Sequence, residues 1–119
     1  MKTILVVDDE LGSAEVLSLI LEEEGYRAFS AVNGQLALIQ ARDVVPDLVI
    51  VDYMMPLMNG AEFSQELRAD PQFAHTKIIL NSGLPEVAIR DHFDGYDAFL
   101  RKPFKVEALL ALVRRLVGR

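Results

Sequence analysis

The sequence contains no cysteine, which excludes disulfide bonds and catalysis by a thiol. Long hydrophobic runs are also missing, because the first apolar stretch, residues 4–7, is followed at once by acidic residues. That stretch is too short for the core of a signal peptide, and no segment reaches the roughly 20 apolar residues of a membrane span. We therefore expect a cytoplasmic protein that does not insert into a membrane.

Positive charge is scarce as well. Twelve lysine and arginine residues stand against 18 aspartate and glutamate residues, which gives a formal net charge of -6. Such a protein repels the phosphate backbone of nucleic acids, so we expect no direct nucleic-acid contact. The length of 119 residues suits one domain with its own hydrophobic core, and we predict a single domain over residues 1–119.

Short apolar runs indicate strands that are buried on both faces, as in a parallel sheet. Three clear runs cover residues 4–7, 48–51 and 78–80, and weaker strand patterns cover residues 27–31 and 98–100. Helical patterns lie between these runs. Five strands that alternate with five helices predict an α/β fold with right-handed crossovers and helices on both faces of the sheet.

The first predicted helix has a clear apolar stripe, whereas the fourth has none. In the first helix, Val16, Leu17, Ile20 and Leu21 form one apolar stripe, which we expect to face the core. The fourth helix, which follows Pro85, is short and poorly patterned. The fourth helix is therefore the weakest element of the predicted fold.

Polar side chains stand where the predicted strands end. Asp8 and Asp9 follow the first strand, Asp52 the third, Ser82 the fourth and Lys102 the fifth. Each has an ordinary explanation when taken alone, such as a helix cap, a turn residue or a partner of the helix dipole. However, the carboxyl ends of parallel strands meet at one edge of the sheet, where ligands bind in this class of fold. We therefore expect these side chains to converge.

The converging residues suit phosphoryl chemistry. Neighbouring carboxylates raise each other's pKa unless a cation lies among them, and Mg²⁺ prefers oxygen ligands of this kind. An ammonium and a hydroxyl on the same rim would suit an anion that is held against the metal. A carboxylate that attacks phosphorus forms an acyl phosphate, which is a known form of nucleophilic catalysis.

Four segments resemble the receiver domain of bacterial two-component response regulators, in particular single-domain regulators of the chemotaxis type. They are "ILVVDDE", "PDLVIVDYMMPLMNG", "IILNSG" and "FLRKPF", and their order and spacing match over essentially the whole chain. The resemblance implies a flavodoxin-like, doubly wound (βα)5 three-layer sandwich. Its five-stranded parallel sheet would have the strand order 2-1-3-4-5.

The resemblance also implies roles for the residues at the strand ends. Asp52 would be the phosphoacceptor, and Lys102 would pair first with Asp52 and then with the phosphoryl oxygens. Asp9 would bind Mg²⁺ (or Mn²⁺) directly and Asp8 mainly through water. Asp52 and the backbone carbonyl of Met54 would complete the protein ligands of the metal.

A signalling switch, rather than an enzyme with a separate substrate, is the function that the resemblance implies. The domain would accept its phosphoryl group from a histidine kinase or a histidine phosphotransfer protein, and would catalyse only its own phosphorylation and slow dephosphorylation. Ser82 and Phe99 would then rearrange the surface of the fourth helix, fifth strand and fifth helix for a downstream protein that the sequence does not identify. Lys102 and Pro103 match the family's cis peptide.

The chain departs from the family pattern at two places. Gly83 stands where the family usually has alanine, and the chain between Ser82 and Lys102 is slightly shorter than usual. We therefore expect a short, mobile segment around the fourth helix. Met54 is apolar where some relatives carry a polar residue, so we expect a longer-lived phosphoryl group than in those relatives.

Three other functions remain open from the sequence. A flavodoxin-like electron carrier needs a phosphate-binding loop rich in hydroxyls and glycine after the first strand, where this chain has acids. A Mg²⁺-dependent phosphohydrolase of the haloacid dehalogenase type usually carries Asp-x-Asp there, whereas Asp8 and Asp9 are adjacent. A receiver-like docking module that is never phosphorylated would not need these acids or Lys102.

Overall fold

The computed structural model describes residues 1–118 and contains a parallel sheet with helices on both faces. Arg119, the last residue of the predicted domain, lies outside the described residues. The strands are β1 (Thr3–Val7), β2 (Arg27–Ala31), β3 (Leu48–Asp52), β4 (Lys77–Ser82) and β5 (Ala98–Arg101). The α-helices are α1 (Leu11–Glu23), α2 (Gly34–Val44), α3 (Gly60–Ala69), α4 (Glu86–Arg90) and α5 (Val106–Val117), and a 3-10 helix (Pro71–Phe73) precedes β4.

The strand order is β2-β1-β3-β4-β5 and all neighbouring strands are parallel, which confirms the predicted fold and strand order. Side chains alternate between the two faces along each strand. In β1, Ile4 and Val6 pack with buried residues of α1 and α5, whereas Leu5 and Val7 pack with those of α2, α3 and α4. The apolar runs of the central strands are continuous because both faces of the sheet are covered.

Three strands extend further at their carboxyl ends than the apolar pattern predicts. Asp52 is the last residue of β3, and Asn81 and Ser82 belong to β4 instead of following it. The backbone ladder continues through these polar residues, since Asp52 is in register with Asn81, and Ser82 with Arg101 at the end of β5. Backbone pairing does not require an apolar side chain, so hydrophobicity alone places the strand ends too early.

The apolar stripe expected on α1 is only partly buried. Leu21 is fully buried and Leu17 and Ile20 are half-buried, but Val16 is 57% exposed. The expectation for Val16 is wrong because α1 turns Ala14 and Leu21 towards the sheet and leaves Val16 at the side. None of the helices in residues 1–118 is long and apolar enough to cross a membrane.

The fourth helix is short, as the sequence predicts. It contains five residues, and Ile89 is fully buried in the core between the sheet and the helices α2, α3 and α4. A salt bridge of 2.9 Å joins Arg90 Nη2 to Glu86 Oε2 within this single turn of helix. A helix of this length closes few internal hydrogen bonds, so its order depends on packing by Ile89 and its neighbours.

We expect the amide hydrogens of residues 84–94 to exchange faster than those of α5 in the unphosphorylated protein. The reason is that a single helical turn opens at a lower free energy than a packed helix of 12 residues. Hydrogen exchange followed by NMR or mass spectrometry measures this difference. Protection of residues 84–94 as strong as that of α5 would contradict the expected mobility.

Candidate functional site

Strand register brings three carboxylates together at one edge of the sheet. Val7 is in register with Val51, so the residues that follow them, Asp8 and Asp52, lie side by side. One carboxylate oxygen from each of Asp8, Asp9 and Asp52 lies within 4.8 Å of the other two. Asp52 and Asp8 are buried and Asp9 is exposed. The predicted convergence of these acids is therefore confirmed.

Backbone groups fix the two buried acids. Asp8 Oδ1 accepts a hydrogen bond from Glu10 N at 2.9 Å, and Asp52 Oδ1 accepts one from Met54 N at 3.2 Å. Gly60, at the start of α3, packs directly against the end of β3, where a Cβ atom would lie 2.6 Å from the Asp52 carbonyl oxygen. Only glycine fits this close approach, which sets the position of the loop after Asp52.

Lys102 provides the positive charge next to Asp52. Its Nζ donates to Asp52 Oδ2 at 2.9 Å, its backbone N donates to Ser82 O at 2.7 Å, and a cis peptide bond links it to Pro103. Burial alone would lower the pKa of Lys102, but the hydrogen bond and charge of Asp52, together with the charge of Asp8, raise it above its usual value. Lys102 is therefore a cation within the described site.

The acids are crowded despite this ammonium. Burial raises the pKa of Asp8, and the charges of Asp52 and Asp9 add to this effect, while the hydrogen bond from Glu10 N and the charge of Lys102 oppose it. Three carboxylates therefore face one ammonium, which leaves an excess of negative charge. Hard oxygen donors in this arrangement fit a divalent cation such as Mg²⁺.

The remaining predicted site residues lie on β4, in the loop after β3 and on β5. Ser82 is fully buried at the end of β4, and its Oγ accepts a hydrogen bond from Leu84 N at 2.8 Å. Met54 lies in the loop after β3 with its side chain 60% exposed. Phe99 lies in β5, is half-buried, and packs against the core on the side of α2, α3 and α4.

Tyr96 links Phe99 to the fourth helix, a contact that the sequence does not reveal. Its ring centroid lies 5.9 Å from that of Phe99 and 6.1 Å from that of Phe93. Its hydroxyl donates to Glu86 Oε2 at 2.6 Å, and this hydrogen bond, with one from Arg90, lowers the pKa of Glu86. The contact joins residues of α4, of β5 and of the loop between them at irregular spacing, so no periodic pattern indicates it.

A groove of about 680 Å³ runs from Asp8 along α1 to the segment that follows β5. Its walls include Leu17, Ile20 and Phe104, and Lys102 and Asn81 lie at its polar end. Asn81 is not among the residues predicted for the site. The signal that points to it is its position, because a polar residue stands where β4 aligns with Asp52.

The chain is similar to known proteins in both sequence and structure. The family model for the response regulator receiver domain matches residues 4–114. The chain is 35% identical over 123 residues to the DNA-binding dual master transcriptional regulator RpaA of Synechocystis, covering 100% of this chain and 50% of RpaA. It spans about half the length of the curated relatives it matches.

Solved structures agree with the fold and with the family. Vibrio cholerae chemotaxis protein CheY4 has a TM-score of 0.92 and 30% identity, with 98% of this chain and 99% of that chain covered. Thermotoga maritima response regulator TrrA, in complex with Mg²⁺ and BeF, has a TM-score of 0.86 and 36% identity, with 98% and 100% covered.

These similarities do not favour the electron carrier, the phosphohydrolase or the unphosphorylated docking module. They agree with the fold and the strand order already described. The chain belongs to the family of response regulator receiver domains, the phosphorylation-activated switches of two-component signalling.

Proposed function

We propose that this receiver domain, extending over residues 1–119, accepts a phosphoryl group on Asp52 from the phosphohistidine of a histidine kinase or a histidine phosphotransfer protein. The observation that carries this assignment is the position of Asp52, which is 5% exposed and bonded to Lys102 through Oδ2 and to Met54 N through Oδ1. A buried carboxylate held from both oxygens, beside two further acids, is oriented for attack on phosphorus.

The proposed transfer is a simple displacement. An oxygen of Asp52 forms a bond to phosphorus while the phosphorus–nitrogen bond of the phosphohistidine breaks, and its electron pair returns to the imidazole ring. Water later hydrolyses the acyl phosphate to the carboxylate and inorganic phosphate. The domain therefore catalyses its own phosphorylation and slow dephosphorylation and acts on no separate substrate.

Asp8 and Asp9 are the proposed side-chain ligands of Mg²⁺ (or Mn²⁺), together with Asp52 and the backbone carbonyl of Met54. Their support is the crowding of three carboxylates within 4.8 Å, which a divalent cation relieves. When bound, the metal supplies positive charge to the phosphoryl oxygens. The Lys102 ammonium, which contacts Asp52 Oδ2 at 2.9 Å, would neutralise part of the negative charge of the phosphoryl group.

Ser82 and Phe99 are the proposed switch residues. The Ser82 hydroxyl, which now accepts a hydrogen bond from Leu84 N, would turn to donate to a phosphoryl oxygen, and this releases the loop before α4. Phe99 contacts Tyr96, whose hydroxyl binds Glu86 of α4, so a movement of Phe99 reaches that helix. The altered surface of α4, β5 and α5 would then be recognised by a downstream protein.

We propose that the domain works in the cytoplasm and makes no direct contact with nucleic acid. The formal charge of -6 supports the proposed lack of nucleic-acid contact, because a negatively charged protein is repelled by a polyanion. RpaA is named as a DNA-binding regulator, but the chain covers only half of it.

Asp52→Asn is expected to abolish phosphorylation. Wild-type protein incubated with a small phosphodonor and Mg²⁺ should gain the mass of one phosphoryl group, whereas the variant should gain none because an amide is a poor nucleophile. Intact-protein mass spectrometry measures this, with Asp70→Asn as a control, since Asp70 lies at the end of α3 outside the site. An equal mass gain in wild type and Asp52→Asn would overturn the assignment.

Asp8→Asn is expected to stabilise the protein without metal and to weaken its response to metal. Removing one buried carboxylate relieves repulsion, so the thermal midpoint at neutral pH should rise by a few degrees in the presence of a chelator. Added Mg²⁺ should then raise the midpoint of the wild type more than that of the variant. A wild-type midpoint that does not respond to Mg²⁺ would argue against the proposed metal site.

Met54→Asn is expected to shorten the lifetime of the phosphoryl group several-fold. The exposed Met54 side chain lies two residues after Asp52, where an apolar group hinders the hydrolytic water and an amide can orient it. Loss of the phosphoryl mass with time, after removal of the phosphodonor, gives the rate. An unchanged rate in Met54→Asn would show that this side chain does not control hydrolysis.

A further inference from the structure

A polar residue outside the proposed site, Asn81, lies in the same row of the sheet as Asp52. Asp52 is in register with Asn81, and Asn81 with Leu100, across β3, β4 and β5. Residues in register on parallel strands point to the same face. Asn81 therefore lies directly beside Asp52 on the face covered by α1 and α5, and it lines the groove that also contains Asp8 and Lys102.

The side-chain oxygen of Asn81 has no hydrogen-bond partner in the part of the chain that the structure describes. Asn81 is 5% exposed, and its Oδ1 makes no hydrogen bond to any of the described residues. A buried acceptor without a donor destabilises a fold, because its lost hydration is not replaced. An apolar residue at this position would avoid that cost, so the amide is expected to have a partner in another state of the protein.

Lys102 brings a hydrogen-bond donor to this end of β4. Lys102 follows β5, yet its ammonium binds Asp52 at the end of β3, and β4 lies between these two strands. The lysine side chain therefore spans the end of β4, where Asn81 is located. An ammonium carries three N–H donors, of which the described contact with Asp52 uses one.

Phosphorylation changes what this ammonium must do. A phosphoryl group on Asp52 places new atoms between the carboxylate and Lys102 Nζ, which now lie 2.9 Å apart. The ammonium must then move away from Oδ2 while staying close to the phosphoryl oxygens. A second acceptor on β4 would keep the flexible lysine in place during this movement.

We propose that Asn81 is a positioning residue for Lys102: its Oδ1 accepts a hydrogen bond from the ammonium and holds it against the phosphoryl group on Asp52. The proposal rests on the proposed function, since it requires the phosphoryl group to be attached to Asp52. Asn81 itself forms no bond to phosphorus. Its effect is transmitted through Lys102.

A double-mutant cycle with beryllofluoride, a tetrahedral mimic of a phosphoryl group, tests this role. Affinity for beryllofluoride in the presence of Mg²⁺ is measured by ¹⁹F NMR for wild type, Asn81→Leu, Lys102→Met and the double variant. Asn81→Leu is expected to weaken binding about tenfold, the scale of a hydrogen bond to a charged group. It should weaken binding no further when Lys102 is already replaced. Unchanged affinity in Asn81→Leu, or an equal loss in the Lys102→Met background, would overturn the proposal.

Thermal stability without ligand separates positioning from a structural role. Leucine removes the unpartnered oxygen, so Asn81→Leu is expected to raise the midpoint by about 3–6 °C while it lowers beryllofluoride affinity. A lower midpoint together with lower affinity would indicate a structural role and overturn the proposal.

Ser18→Ala is the matched control, because Ser18 Oγ is also buried without a partner among residues 1–118 but lies on α1 outside the groove. An affinity loss in Ser18→Ala as large as that in Asn81→Leu would also overturn it.

A third measurement uses the wild-type side chain itself. The ¹³C resonance of the Asn81 side-chain carbonyl should shift when Mg²⁺ and beryllofluoride are added, and Lys102→Met should abolish that shift. The mass-spectrometric assay separates this inference from the proposed function. A phosphoryl mass gain that Asp52→Asn abolishes, with no Asn81 shift in the wild type, overturns the role of Asn81 alone. An equal mass gain in wild type and Asp52→Asn overturns the proposed function.

Discussion

The crowding of three carboxylates at the end of a buried sheet is the constraint on which the rest of the site depends. Asp8, Asp9 and Asp52 lie within 4.8 Å of one another, and like charges at this distance raise the free energy of the ionised forms. Lys102 offsets part of this repulsion through its bond to Asp52. The remaining negative charge is compatible with a divalent cation at this position.

The fold supplies the rigidity that this crowding requires. The apolar strands β1, β3 and β4 are covered on both faces, so the backbone at their carboxyl ends has little freedom to move the acids apart. The close approach of Gly60 to the Asp52 carbonyl fixes the loop that follows. The core therefore keeps the three carboxylates close together, and their mutual repulsion favours the binding of a cation.

Much of this arrangement follows from the sequence, because apolar runs and the residues after them identify the strands and their shared edge. These patterns predict the grouping of the acids and the short α4, whereas the strand order is predicted by the resemblance to receiver domains. Val16 is not, since an amphipathic stripe does not specify which of its residues face the sheet. Asn81 and the contact between Tyr96 and Glu86 are also not predicted. Both depend on strand register or loop geometry, which residue spacing does not encode.

The position of the acyl phosphate tests the central claim most directly. After incubation with a phosphodonor and Mg²⁺, borohydride reduces an aspartyl phosphate to an alcohol, and peptide mass spectrometry identifies the altered residue. The structure predicts reduction at Asp52, the buried acid that Lys102 and Met54 N hold in place. Reduction at Asp8 or Asp9 instead would contradict this account, because those acids would then be nucleophiles and not metal ligands.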